Sequence, residues 1–108
     1  MRILNRLKPA LLLLPAFVLG MAASPASAME ITPEIVAKVG ACVACHGADG
    51  IGKAPQYPNL AGQKATYIEK QLSAFRSGER KDPNMSAMAK PLSDQDIVDI
   101  AAYFESLE

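Results

Sequence analysis

The sequence predicts an all-α protein with three main helices and long loops. Three segments carry apolar residues three or four positions apart, the spacing that places side chains on one face of a helix. Residues typical of helix starts and stops bound these segments. No segment shows the sustained alternation of apolar and polar residues that is typical of strands. The connections between the helices are rich in glycine and proline, and loops of this length usually carry function.

Residues 1–28 are typical of a cleaved export signal. Three basic residues precede an apolar stretch at 10–19, and Ala-Ser-Ala at 26–28 fits a signal peptidase site. The apolar stretch is shorter than the roughly 20 residues of a membrane-spanning helix. An uncleaved N-terminal anchor is the alternative. We expect cleavage after Ala28 and a single domain at 29–108. The three basic residues are Arg2, Arg6 and Lys8.

The predicted domain has eight basic and 11 acidic residues, and so a net charge of −3. This balance excludes a strongly basic nucleic-acid-binding protein. Export predicts a periplasmic location, with no stable membrane insertion after cleavage, and we expect a monomer. A domain of this size buries only a small hydrophobic core, and small domains are often stabilised by a covalent cross-link, a metal ion or a cofactor.

The first predicted helix starts with Thr32 as N-cap and Pro33 at the first helical position, a favoured pair. It continues into a pair of cysteines. Gly40 either weakens this helix or permits close approach of another one. Four apolar residues recur in it at helical spacing: Ile35, Val36, Val39 and Val43.

The second predicted helix covers 64–77 and stops at Gly78. Tyr67 and Gln71 lie beside its apolar stripe, where they either flank the core or contact a cofactor. The stripe consists of Ala65, Ile68, Leu72 and Phe75.

The third predicted helix begins at Ser93, which forms a capping-box-like pair with Asp96. Asp94 and Asp99 add negative charge near the positive end of the helix dipole. We interpret these carboxylates as helix-start residues and not as a metal or catalytic site. The apolar face consists of Ile97, Ile100, Ala101, Phe104 and Leu107.

The motif Cys42-x-x-Cys45-His46 is the attachment pattern for c-type haem. Because residues three and four apart share one helix face, the two thiols and the imidazole would point to the same side. The main alternative is a disulfide between the two cysteines. A zinc site would need two further Cys or His ligands, and the sequence has none left. A thioredoxin-like redox pair is expected in a βαβ context, which is missing here.

A second axial ligand has to come from elsewhere, because His46 is the only histidine. The domain offers the thioethers of Met29, Met85 and Met88. Otherwise a lysine or a water molecule occupies the sixth coordination position of the iron, or that position stays empty. Met29 lies at the predicted new N-terminus, where fraying makes it a poor ligand. Met85 and Met88 both lie in the predicted loop between Gly78 and Leu92.

Four motifs occur in order along the domain. They are C-V-A-C-H-G-A-D-G at 42–50, Y-P-N-L-A-G-Q at 57–63, Y-I-x-K-Q-L-x-x-F-x-x-G-x-R at 67–80 and M-x-x-M-A-x-x-L-S-D-Q-D-I-x-x-I-A-A-Y-F at 85–104. With these motifs the chain resembles the class I c-type cytochromes. It is most similar to small bacterial monohaem proteins and to either half of the dihaem two-domain cytochromes c. The resemblance implies the small cytochrome c fold, wrapped around one haem.

The resemblance also implies roles for individual residues. Cys42 and Cys45 would form the thioether bonds of one covalent haem c, and His46 would be the proximal ligand. The carbonyl of Pro58 would accept a hydrogen bond from the ligand histidine. Family spacing places the sixth ligand seven residues before the leucine of Leu-Ser-Asp, which selects Met85 over Met88. Met88 would then pack against the macrocycle or the following helix.

The resemblance implies a periplasmic one-electron carrier with His/Met ligation, which takes electrons from one redox protein and passes them to another. The interfaces of such encounters are small and transient. The basic residues either form part of a docking surface or are scattered solvated charges: Lys53, Lys64, Lys70, Arg76, Arg80, Lys81 and Lys90.

Three other functions are left open. A haem subunit held permanently in a larger redox complex would still pass electrons, whereas a haem-based ligand sensor would need a weak or absent sixth ligand. A thiol–disulfide oxidoreductase would use the two cysteines directly. No nucleophile–base pair or carboxylate dyad is evident in the sequence, so we do not predict an enzyme.

Overall fold

The computed structural model describes residues 10–20 and 30–108. Four helices lie in the second range, and neither range contains a strand. This confirms the predicted all-α fold and adds one short helix to the three expected. The helices are α1 (Pro33–His46), α2 (Ala65–Ser77), α3 (Pro83–Ala89) and α4 (Asp94–Glu105).

Most of the predicted export signal lies outside the described residues. This applies to its basic residues, to the cleavage site after Ala28 and to Met29. Residues 10–20 have no regular secondary structure, and the side chains of Leu11 and Leu19 are 84% and 82% exposed. Within residues 10–20 and 30–108, no helix has the length and apolarity needed to cross a membrane.

Helix α1 begins as the sequence predicts. The Oγ1 atom of Thr32 accepts a hydrogen bond from the backbone N–H of Ile35 at 3.3 Å, and Pro33 occupies the first turn. Of the apolar residues at helical spacing, Ile35 and Val39 are buried, whereas Val36 is 54% exposed. Val36 follows Ile35 directly and therefore points about 100° away around the helix.

Gly40 does not permit close approach of another helix. A Cβ atom at Gly40 would have no atom within 4 Å, and the residue is exposed. Of the two roles weighed for Gly40, only the weakening of α1 is left.

Helix α3 lies where the sequence predicts a loop. The Asp82 side chain accepts hydrogen bonds from the backbone N–H groups of Asn84 and Met85 at 2.9 and 2.8 Å. Pro83 occupies the first turn, and the Ser86 hydroxyl accepts a bond from the Asp82 N–H at 3.0 Å. Asp82-Pro83 therefore repeats the start pattern of Thr32-Pro33, but the helix has only seven residues and shows no clear periodicity.

Helix α4 begins with the predicted capping box. The Ser93 side chain accepts from the Asp96 N–H, and the Asp96 carboxylate accepts from the Ser93 N–H, both at 3.0 Å. Asp96 and Asp99 also reach Lys38 of α1, whose Nζ lies 3.1 and 2.7 Å from their oxygens. The bonds from Ser93 and then Lys38 lower the pKa of Asp96, and the bond from Lys38 lowers that of Asp99. The same contacts, chiefly that with Asp99, raise the pKa of Lys38.

The helices pack around α4. Helix α1 packs on α4, and α2 packs on both α4 and α3. Phe104 and Ile100 of α4 are fully buried, at 0% and 1% exposure. The contacts leave α1 on one side of a central cavity and the α2–α3 pair on another. The remaining buried apolar residues are Ile35, Val39, Ile68, Leu72, Phe75, Ala89, Ile97 and Ala101.

Candidate haem site

A cavity of about 910 Å³ lies between α1, α2, α3 and the loop that follows α1. Its size is at the upper end of the range for sites that take small molecules and cofactors. Buried apolar side chains of α2 and α4, including Leu72 and Phe104, form part of its wall. The cavity brings together every site residue that the sequence predicts: Cys42, Cys45, His46, Pro58 and Met85, with Met88 beside them.

His46 is the only buried polar side chain among residues 10–20 and 30–108, at 7% exposure. Its Nδ1 lies 2.8 Å from the carbonyl oxygen of Pro58. A carbonyl only accepts, so Nδ1 carries the proton and Nε2 keeps its lone pair for a metal. The ring also contacts Phe104 edge-on, with the centroids 6.4 Å apart. The hydrogen bond selects the tautomer, and both contacts restrict the orientation of the ring.

The loop between α1 and α2 holds the Pro58 carbonyl in place. The backbone N–H of Gly52 donates to Oδ1 of Asn59 at 2.8 Å, a contact across seven positions that the local sequence does not indicate. The Gly50 carbonyl accepts from the N–H groups of Leu60 and Ala61, at 2.7 and 3.0 Å. Gly50 has φ +74°, and a Cβ there would lie 2.7 Å from the Ala61 nitrogen. Both the dihedral angle and the close approach therefore require glycine at 50.

A second tether joins this loop to the last helix. The hydroxyl of Tyr103 donates to the carbonyl of Ala48 at 2.8 Å, and its ring packs edge-on against Phe104 at 5.1 Å. This contact fixes the start of the loop directly after the haem-attachment motif. Local sequence gives no sign of it, because the two residues are 55 positions apart.

The two cysteines are half-buried and lie on the cavity wall as free thiols. They form no disulfide with each other in this structure. Burial raises the pKa of the Cys42 thiol. The reactive cysteines of thiol–disulfide oxidoreductases have lowered pKa values, so this environment argues against that alternative function.

The two methionines near α3 differ in their surroundings. Met85 is half-buried and packs against the apolar core, and its backbone N–H is held by the Asp82 cap. Met88 lies one turn later, lines the same cavity and is 40% exposed. The fold therefore seats Met85 deeper than Met88, on a backbone fixed by the start of α3.

Tyr67 and Gln71 of α2 both line the cavity, which favours cofactor contact over the core-flank interpretation. Tyr67 is 52% exposed. Gln71 accepts a hydrogen bond from Nη1 of Arg80 at 2.7 Å. Sequence periodicity places these residues beside the stripe but does not indicate what they contact.

The residues on the cavity wall fit a haem. Two thiols one helical turn apart suit two thioether bonds, and an imidazole with a free lone pair suits iron. The apolar wall suits the large planar macrocycle, and a thioether sulfur is a suitable soft ligand for the opposite face. This agreement supports the cofactor that the attachment motif predicts.

Comparison with known proteins gives the family. Residues 34–108 match the cytochrome c family model. The chain is 60% identical over 74 residues to cytochrome c-554(548) of Halomonas halodenitrificans, which covers 66% of this chain and 89% of that protein. It is 50% identical over 70 residues to cytochrome c4 of Pseudomonas aeruginosa, covering 65% of this chain and 35% of that protein.

A solved structure of cytochrome c4 from Acidithiobacillus ferrooxidans is also similar, with a TM-score of 0.59 and 45% identity. The match covers 62% of this chain and 38% of that one. The chain thus spans little more than a third of the length of these cytochrome c4 relatives. It resembles one half of such a protein, as the sequence motifs imply.

The family match covers both cysteines, and it confirms one haem c attached covalently through Cys42 and Cys45. The all-helical architecture agrees with that of the structural neighbours. The chain belongs to the cytochrome c family and is an electron carrier of the c-type haem class.

Proposed function

We propose that this protein is a periplasmic one-electron carrier in which His46 and Met85 are the two axial ligands of the haem iron. The observation that carries the proposal is the hydrogen bond from His46 Nδ1 to the Pro58 carbonyl, at 2.8 Å. It leaves Nε2 as the ring nitrogen available to a metal and makes that nitrogen a better donor.

Burial and backbone support favour Met85 as the second ligand. Its side chain packs against the core, whereas Met88 is more exposed and has no place in the core cluster. Two of the backbone N–H groups at the start of α3 are bound by Asp82, so the position of Met85 is fixed before any ligand binds. A preformed ligand loses little conformational entropy when it binds.

The proposed ligation explains why the role would be electron transfer. Haem supplies a reversible one-electron couple when bound, and a thioether ligand raises its reduction potential. With both axial positions filled by side chains, the protein offers no open position to oxygen or another small ligand. The proposal therefore assigns no catalytic residue to this chain.

The periplasmic location rests on the N-terminal pattern of basic residues, an apolar stretch and Ala-Ser-Ala at 26–28. Donor and acceptor are proposed to be redox proteins of the same compartment or of its membrane surface. Expression of the full chain, followed by fractionation and N-terminal sequencing, tests this part. A mature protein that starts at Met29 in the periplasmic fraction is the expected result.

The ligand assignment is tested with the haem-loaded protein and two matched variants, Met85→Ala and Met88→Ala. We expect the weak long-wavelength absorption band of ferric iron–methionine ligation to disappear only in Met85→Ala. The same variant should bind carbon monoxide rapidly in the ferrous state, because its sixth position is open.

Met88→Ala is the control, since it removes the same side chain from the same cavity one helical turn away. Loss of the band in Met88→Ala alone would transfer the ligand role to Met88. If the unmodified protein lacks the band and binds carbon monoxide rapidly, the proposed His/Met ligation is wrong, and the open sixth position would point to ligand sensing.

A further inference from the structure

We infer that Arg76 is a positioning residue for the sixth ligand of the haem iron. Arg76 lies in the last turn of α2, and its guanidinium binds the far end of the methionine segment (residues 81–92), which contains α3 and Met85. The inference rests on the proposed function, in which Met85 is the sixth ligand, and adds the residue that holds this ligand in place.

The methionine segment has few polar contacts with the rest of the fold. Its other hydrogen bonds are internal, such as that from the N–H of Leu92 to the carbonyl of Ala89 at 3.1 Å. Among the described residues, a single hydrogen bond joins the segment to another element, and Arg76 donates it. The other contacts of the segment with the core are apolar and come from Met85, Ala89 and Leu92.

The guanidinium of Arg76 joins the end of α2 to the start of α4. Its Nη1 donates to the carbonyl oxygen of Leu92 at 3.0 Å, and its Nη2 donates to Oδ1 of Asp94 at 2.6 Å. A planar fork of N–H donors is suited to two acceptors at once. The Arg76 side chain is 30% exposed and that of Asp94 is 93% exposed, so water screens the ion pair strongly. The bond to the Leu92 carbonyl is therefore the contact that matters for the segment.

Met85 thus lies on a stretch of chain that is held at both ends. On the α2 side, the backbone N–H of Arg80 donates to the carbonyl of Ala74 at 3.0 Å. On the α4 side, Arg76 holds the carbonyl of Leu92. A ligand on such a stretch explores few positions and loses little conformational entropy when it binds. Without the Arg76 bond, the α4 side would open more often, and the methionine sulfur would leave the iron with it.

The test uses the ferric haem-loaded protein and its variant Arg76→Gln, which removes the charged fork. Cyanide is the probe, because it binds the iron only after the methionine has left. We expect cyanide to bind about five- to twentyfold faster in the variant, which corresponds to the loss of one partly exposed bond from a charged donor. Hydrogen exchange should accelerate at the backbone N–H groups of α3 and stay unchanged in α1, the pattern of a local opening.

Two variants are matched controls. Lys38→Gln also removes ion pairs from the protein, but at the contact between α1 and α4, so it should not accelerate cyanide binding. Asp94→Asn removes the exposed carboxylate partner of Arg76 and leaves the Leu92 carbonyl in place. We expect Asp94→Asn to change the cyanide rate less than about twofold, because exposed ion pairs contribute little.

An unchanged cyanide rate in Arg76→Gln would overturn the inference, and so would an equal acceleration in either control. Hydrogen exchange that accelerates throughout the protein would overturn it as well, since Arg76 would then act through overall stability. The iron–methionine absorption band of the unmodified protein is recorded first. Its absence would disprove the proposed ligation and with it this role of Arg76, whereas a normal band with unchanged cyanide binding in Arg76→Gln disproves only the role of Arg76.

Discussion

Gly52 lies where the loop after α1 leaves no room for a side chain, so Gly52→Ala tests how the loop positions the site. A Cβ atom there would lie 1.8 Å from the carbonyl oxygen of Tyr57. Ordinary contact begins near 3.4 Å, so the two segments would have to separate by about 1.6 Å. Tyr57 directly precedes Pro58, whose carbonyl holds the ring of His46.

The required movement is larger than the hydrogen bond to His46 tolerates. That bond is 2.8 Å long and is lost beyond about 3.5 Å. Overpacking costs about 1–3 kcal/mol, and the lost hydrogen bond adds about 0.5–1.5 kcal/mol. We therefore expect Gly52→Ala to lower the free energy of unfolding by about 2–4 kcal/mol, or Tm by roughly 8–32 °C for a domain of this size.

The assay is equilibrium unfolding of the haem-loaded protein, followed by circular dichroism and by the haem spectrum. Gly40→Ala is the control, because the same substitution in the open space beside α1 should stabilise the helix by about 0.5–1 kcal/mol. A Gly52→Ala protein as stable as the unmodified one, with an unchanged reduction potential, would refute the reasoning. The loop would then accommodate the extra methyl group without moving the Pro58 carbonyl away from His46.

Two further predictions concern contacts between helices and loops. Lys38→Gln removes the ion pairs to Asp96 and Asp99. Both carboxylates have lowered pKa values in the folded protein. Their contribution to stability is therefore complete above about pH 4 and is lost as the pH falls. Acid unfolding of Lys38→Gln should therefore depend less steeply on pH than that of the unmodified protein, and an identical slope would contradict this. Tyr103→Phe removes the bond to Ala48 and should cost about 0.5–1.5 kcal/mol, measured by guanidinium unfolding. No loss of stability would mean that water replaces the hydroxyl.

The sequence alone was sufficient where the determinants are local. Thr32 and Ser93 cap helices through bonds to residues three positions away, so a few neighbouring letters predict both starts. The attachment motif is equally local, because Cys42, Cys45 and His46 share one helix face by virtue of their spacing alone. The family motifs also predict the contact between His46 and Pro58, although the two residues are 12 positions apart.

The sequence is less informative where a helix is short, and where an apolar residue can lie on either the buried or the exposed face of a helix. Helix α3 carries the same capping signs as α1, but its seven residues are too few to show a helical period, so the sequence predicts a loop there. Spacing and apolarity place Val36 on α1 with Ile35 and Val39, but the angular position of its Cβ on the helix leaves it exposed.

By itself, the sequence determined the all-α class, the three longer helices, the covalent haem and the residues from which its ligands are chosen. Only the tertiary structure decided how those residues are supported. The tether from Tyr103 to Ala48, the ion pairs of Lys38 and the position of Arg80 over Phe75 all depend on packing between separate elements. Such contacts follow from the path of the whole backbone, and local propensities do not specify that path.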